Sequence, residues 1–64
     1  MIKLTLKAAR VNCKLSRRMV AAKIGVSEST VKNWETGRSY PKPPEIDALC
    51  TLYGVRYDDI DFLL

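Results

Sequence analysis

Three residues constrain this chain more than any others: Gly25, Val26 and Ser27, in the stretch "KIGVSESTVKNWETGR". On each side the apolar residues recur at helical spacing, which predicts one helix over Arg17–Ile24 and another over Glu28–Thr36. Ser16 and Ser27 are residue types that cap the first turn of a helix. Gly25 and Gly37 suit the left-handed position that ends one. A joint this short, opening on a glycine, sets two helices at a steep angle. Ala21 is small where the second helix crosses, Val26 plugs the corner, and Val31 faces inward. That pattern is a helix-turn-helix.

The remaining chain extends the helical reading. Leu6, Ala9, Arg10 and Cys13 predict a first helix over Lys3–Cys13. Three prolines within Pro41–Pro44 remove backbone donors and mark the one real loop. Pro44 suits the first turn of a fourth helix, Pro44–Tyr53, with Ile46, Leu49, Cys50 and Tyr53 inward. A short fifth helix is expected over Asp58–Leu63, with acids in its first turn where the helix dipole favours them. No segment alternates like a strand. The expectation is an all-α, compact five-helix fold forming a single domain over residues 1–64.

Length and composition exclude several classes. Sixty-four residues make one domain near the lower limit for an unaided core. With 47% apolar residues the chain is not disordered by composition. No run approaches the roughly 18 apolar residues of a membrane span. "MIKLTLKAAR" has no continuous apolar stretch and is not a signal peptide. The expected setting is the cytoplasm, at the nucleoid. Cys13 and Cys50 are read as small buried apolar residues, since a reducing compartment disfavours a disulfide. Without histidine or a cluster of about four ligands, no zinc site is expected. No nucleophile has a base beside it, so no enzymatic activity, cofactor or small-molecule substrate is expected.

Charge is divided along the chain. Residues 1–44 carry ten Lys/Arg against two Glu, a net +8, and residues 45–64 carry one Arg against five Asp/Glu, a net −4. A basic body suits a polyanion. In the Glu28–Thr36 helix, Val31 and Trp34 lie on one side and Glu28, Ser29, Lys32, Asn33 and Thr36 on the other. A major groove admits one such helix, whose first residues reach base edges. Glu28, Ser29, Lys32 and Asn33 are therefore the candidate base contacts. Asn33 suits adenine and Lys32 guanine, while Glu28 either accepts from cytosine N4 or repels wrong positions. Arg17, Ser27, Thr36, Arg38, Ser39 and Tyr40 are candidate phosphate ligands, with Lys14, Arg18 and Lys42 as weaker ones. Trp34 is read as core, with its indole N–H as an alternative phosphate donor.

Over nearly its whole length the chain resembles the phage Cro and repressor-type (lambda repressor-like) helix-turn-helix regulators. The residues that carry the resemblance are Arg10, Leu15-Ser16, Ala21, Ile24-Gly25-Val26-Ser27, Thr30-Val31, Trp34-Glu35, Gly37, Pro41, Leu49, Tyr53-Gly54-Val55 and Asp59-Ile60. The resemblance implies five helices, DNA binding through the third, and transcriptional control by occupying an operator. It also implies an ion pair between Arg10 and Glu35. Two positions depart from the family. Arg17 stands where members often have a phosphate-binding Gln, and Arg56 where a Ser or Asp would cap the fifth helix.

Tyr57, Ile60, Phe62, Leu63 and Leu64 are too many apolar residues for one short exposed helix. They are expected to form a weak homodimer on an operator that is an inverted repeat. The alternative reading is a protein-interaction module, such as an antitoxin or a subunit of a larger regulator. The acidic, apolar end of the chain leaves room for it.

Overall fold

A computed structural model describes residues 3–62. Among them run four α-helices: α1 (Leu6–Asn12), α2 (Arg17–Ile24), α3 (Glu28–Thr36) and α4 (Pro43–Tyr53), followed by one 3-10 turn, Tyr57–Asp59. None is long and apolar enough to cross a membrane.

The two helices flanking the short joint lie where their caps predict. The Ser16 hydroxyl accepts from the Met19 N–H at 3.1 Å, and the Ser27 hydroxyl from the Thr30 N–H at 3.1 Å. Each bond satisfies one of the donors a helix start leaves free. At Gly25 φ is +87°, in the left-handed region. A Cβ there would meet no heavy atom within 4 Å, so glycine is favoured for its backbone freedom and not for space.

Both ends of the chain depart from the helical expectation, and for one shared reason. The first helix does not begin at Lys3. Thr5 caps it, its hydroxyl accepting from the Ala8 N–H at 3.0 Å. Leu4, before the cap, is extended. Its N–H donates to the Asp59 carbonyl at 2.8 Å, and its carbonyl accepts from the Asp61 N–H at 2.8 Å. These two bonds make an isolated parallel bridge between Leu4 and Ile60. The predicted fifth helix is thereby replaced: one 3-10 turn leads into extended backbone at Ile60. Arg56 has no side-chain acceptor to cap a helix. The Asp59 carboxylate instead accepts from the Arg56 N–H at 3.0 Å and holds the turn.

At the other junctions the corrections are smaller. α1 ends at Asn12, and Lys14, not a glycine, takes the left-handed conformation with φ +58°. α4 begins one residue early, at Pro43, where Glu45 accepts from the Lys42 N–H at 2.8 Å.

The core is built from every helix: Leu6 and Ala9, Val20 and Ala21, Val31 and Trp34, Leu49 and Tyr53, closed by Ile60. Ile60 is only 4% exposed, so its place in the expected dimer surface is corrected: it seals the protomer's own interior. Tyr57 is exposed and Phe62 half-buried, their rings 5.6 Å apart. Leu63 and Leu64, the other residues expected at the dimer surface, lie outside the described residues. Cys13 and Cys50 are free thiols and half-buried rather than fully buried. Cys13 donates to the Tyr53 carbonyl at 3.4 Å.

If Ile60 closes the core, Ile60→Ala should lower unfolding stability by about 2–5 kcal/mol, the cost of an aliphatic truncation that leaves a cavity. Urea denaturation measures it. A loss within about 0.5 kcal/mol, the range of ordinary surface changes, would return Ile60 to the surface.

Candidate nucleic-acid interface

α3 divides sharply. Val31, Trp34 and Glu35 are buried, at 1%, 5% and 8% exposure. Glu28, Ser29, Lys32 and Thr36 are exposed, and Asn33 is half-buried. Burial of Trp34 supports its packing role. The helix is held from two directions. It packs on α2 across the Gly25–Ser27 joint, and on α1.

The contact with α1 contains a two-bond ion pair. Arg10 Nε donates to Glu35 Oε2 at 2.6 Å, and Arg10 Nη2 donates to Glu35 Oε1 at 3.2 Å. The side chains are 12% and 5% exposed. The planar guanidinium has further donors, and Nη1 uses one on the Leu15 carbonyl at 2.8 Å. One side chain thus fixes α1, α3 and the residue before the α2 cap. The bond from Glu35 raises the guanidinium's pKa above its ordinary value, outweighing the opposing effect of burial. Tyr53 feels the same cluster: burial first, and then the Glu35 charge, pushes its hydroxyl up to about 12.

On the outer side, Arg17, Glu28, Ser29 and Lys32 line one depression of about 260 Å³. Three of the four candidate base contacts are therefore together, and Arg17, expected among the phosphate ligands, is with them. Asn33 does not line this depression. Its carbonyl accepts from the Arg38 and Ser39 N–H groups at 3.0 and 3.3 Å, ending α3.

The expected phosphate ligands separate into groups. Arg38, Ser39 and Tyr40 are exposed directly after α3. Ser27 is exposed, but its hydroxyl caps α3 and bonds the Thr30 hydroxyl at 2.8 Å. Thr36 is exposed too, and its hydroxyl donates to the Lys32 carbonyl at 2.9 Å, a bond back within its own helix. Lys14, Arg18 and Lys42 are exposed and do not line the depression. The Leu15 carbonyl was not among the sequence candidates, because a backbone acceptor leaves no mark in residue type.

Residues 4–63 match the sequence model of a family described as a helix-turn-helix domain. No curated protein and no solved structure matches the chain significantly.

The Arg10–Glu35 pair generates a direct test. Arg10→Met would leave a carboxylate buried without its partner and the Leu15 carbonyl without its donor. Removing one member of a buried pair typically costs about 3–5 kcal/mol. Thermal or urea unfolding should show a loss of that order, and an unchanged melting temperature would contradict the role given to the pair.

Proposed function

The chain belongs to the helix-turn-helix domain family, and from that premise we propose that it is a sequence-specific, double-stranded DNA-binding transcriptional regulator. We assign it to the phage or prophage Cro/repressor type, acting without chemistry or cofactor by occupying an operator. The observation that carries this reading is the two-sided α3. Its inner face is core, and its outer face presents Glu28, Ser29 and Lys32 in one depression. A helix held rigidly by one side and polar on the other suits insertion into a major groove, where its N-terminal residues meet base edges.

Phosphate contacts supply affinity around that helix. Arg38, Ser39 and Tyr40 lie exposed at its end, and residues 1–44 carry the net +8 that a polyanion attracts. The site of action is the nucleoid. One protomer offers one recognition helix, so a specific operator is best read by two. Tyr57 and Phe62 supply the aromatic surface for a weak homodimer on an inverted repeat, with half-sites about 34 Å apart.

A protein-interaction module is the second reading. It draws on the cleft of about 410 Å³ lined by Asp47, Cys50, Val55 and Tyr57 among others. Gel shifts with random DNA across a salt series separate the two, because neutralised phosphates make affinity fall steeply with salt. No shift at any salt would favour the interaction module.

Base and phosphate ligands leave different signatures. Arg38→Ala should weaken operator and random DNA about equally and lower the salt slope by roughly one unit. Asn33→Ala should cost about 1–3 kcal/mol on the operator and far less on random DNA. Identical titration profiles for the two variants would remove α3 from the groove.

The dimer is tested by light scattering. The expected result is a monomer–dimer equilibrium shifted to monomer by Tyr57→Glu, with a two-half-site footprint on DNA. Monomer at every concentration together with a one-half-site footprint would exclude it.

A further inference from the structure

The depression beside α3 holds a combination that a phosphate does not match. It is lined by two cations, Arg17 and Lys32, one carboxylate, Glu28, and one hydroxyl, Ser29. Arg17 is half-buried and the other three are exposed. Among the described residues no ion pair ties Glu28 to Arg17 or Lys32, so the charged groups are not spent on one another.

A phosphate oxygen only accepts. It suits the two cations but brings a like charge to Glu28. The matching ligand presents adjacent acceptors beside a donor. The major-groove edge of a G·C pair has that order: guanine N7 and O6, then the cytosine N4 amino group. An A·T pair places its one donor between two separated acceptors, which gives cations no adjacent pair of acceptors.

We infer that Arg17, Lys32 and Glu28 together read one G·C base pair, the two cations on guanine N7 and O6 and the carboxylate on cytosine N4. This rests on the DNA-binding reading above and sharpens it. Arg17 moves from the backbone ligands to the residues that choose sequence. Glu28 acquires two effects from one charge: it rewards the cytosine amino group, and it opposes the placement of a bare phosphate against Arg17 and Lys32.

The test is selection from a pool of random duplexes, followed by titration of the selected site and its single-pair variants. Wild-type protein should enrich a G·C pair at one position of each bound site. Replacing that pair by A·T should weaken binding roughly 5- to 150-fold, the range for one good base contact. Glu28→Ala, which removes the acceptor as well as the charge, should lower the preference at that position and tighten random DNA. Arg17→Ala should lose the same preference, with little change at other positions. Circular dichroism checks that both variants remain folded.

Retention of the full G·C preference in Glu28→Ala would overturn the inference while leaving DNA binding intact. So would an equal loss on all duplexes in Arg17→Ala, the mark of a phosphate ligand. Wild-type protein that enriches no sequence and shows no salt-dependent binding would overturn the inference and the DNA-binding reading together.

Discussion

The position of α3 depends on the buried contact between Arg10 and Glu35. A helix of nine residues has few ways to be fixed precisely in a protein of this size. Apolar contacts from Val31 and Trp34 hold it to the core, but such contacts are nondirectional and tolerate sliding. The two parallel bonds from Arg10 do not. They specify the rotation of α3 about its axis, and so which residues face outward. A buried ion pair is weak evidence for stability, because desolvation offsets much of its attraction. Here its clearer consequence is orientation. The third bond, to the Leu15 carbonyl, carries that orientation to the start of α2, where Arg17 stands.

The Gly25–Ser27 joint supplies the complementary constraint. It sets how α2 and α3 meet, and the two helix starts then form one depression in which residues eleven positions apart in sequence act on the same space. Arg17 is the first residue of α2, and Glu28 is the first of α3. The joint turns two unrelated helix starts into a single surface of mixed charge.

This explains what the sequence made legible. α2 and α3 are bounded by local chemistry, with a capping serine before each and a left-handed glycine after each. Local rules therefore located them. The chain's end obeyed a distant partner. Asp58 and Asp59 look like a helix start, but Leu4 takes the backbone bonds of Asp59 and Asp61 and draws Ile60 into the core. A contact across more than fifty residues has no local signature. The α3 candidates were legible as residue types facing away from Val31. The grouping of Arg17 with them was not, since helical periodicity orders residues within one helix and says nothing about the neighbouring one. Thr36 shows the remaining difficulty: an exposed hydroxyl looks free in sequence, yet it donates back within its own helix.

The acids of residues 45–64 raise the question of why a chain suited to a polyanion carries them at all. α3 packs on α2 and α1, whereas α4 packs on α2 and the 3-10 turn. Glu45, Asp47, Asp58 and Asp59 belong to those latter elements. The molecule measures 31 × 22 × 20 Å, and at physiological ionic strength exposed charges are largely screened beyond about 8 Å. Acids on α4 and the turn subtract little from the attraction of any polyanion that stays farther from them than that. They still give the molecule a charge gradient, which favours approach to a polyanion with the basic elements leading. Glu28 is the exception, an acid placed within the basic surface. At that distance screening does not protect binding from it, so its charge must be matched by a donor on the ligand or weaken every complex formed. A surface arranged only to hold phosphates would gain affinity by omitting Glu28. Glu28 also stands in the first turn of α3, where the helix dipole favours an acid, so it stabilises the helix at the expense of attraction to a bare polyanion unless the ligand offers it a donor.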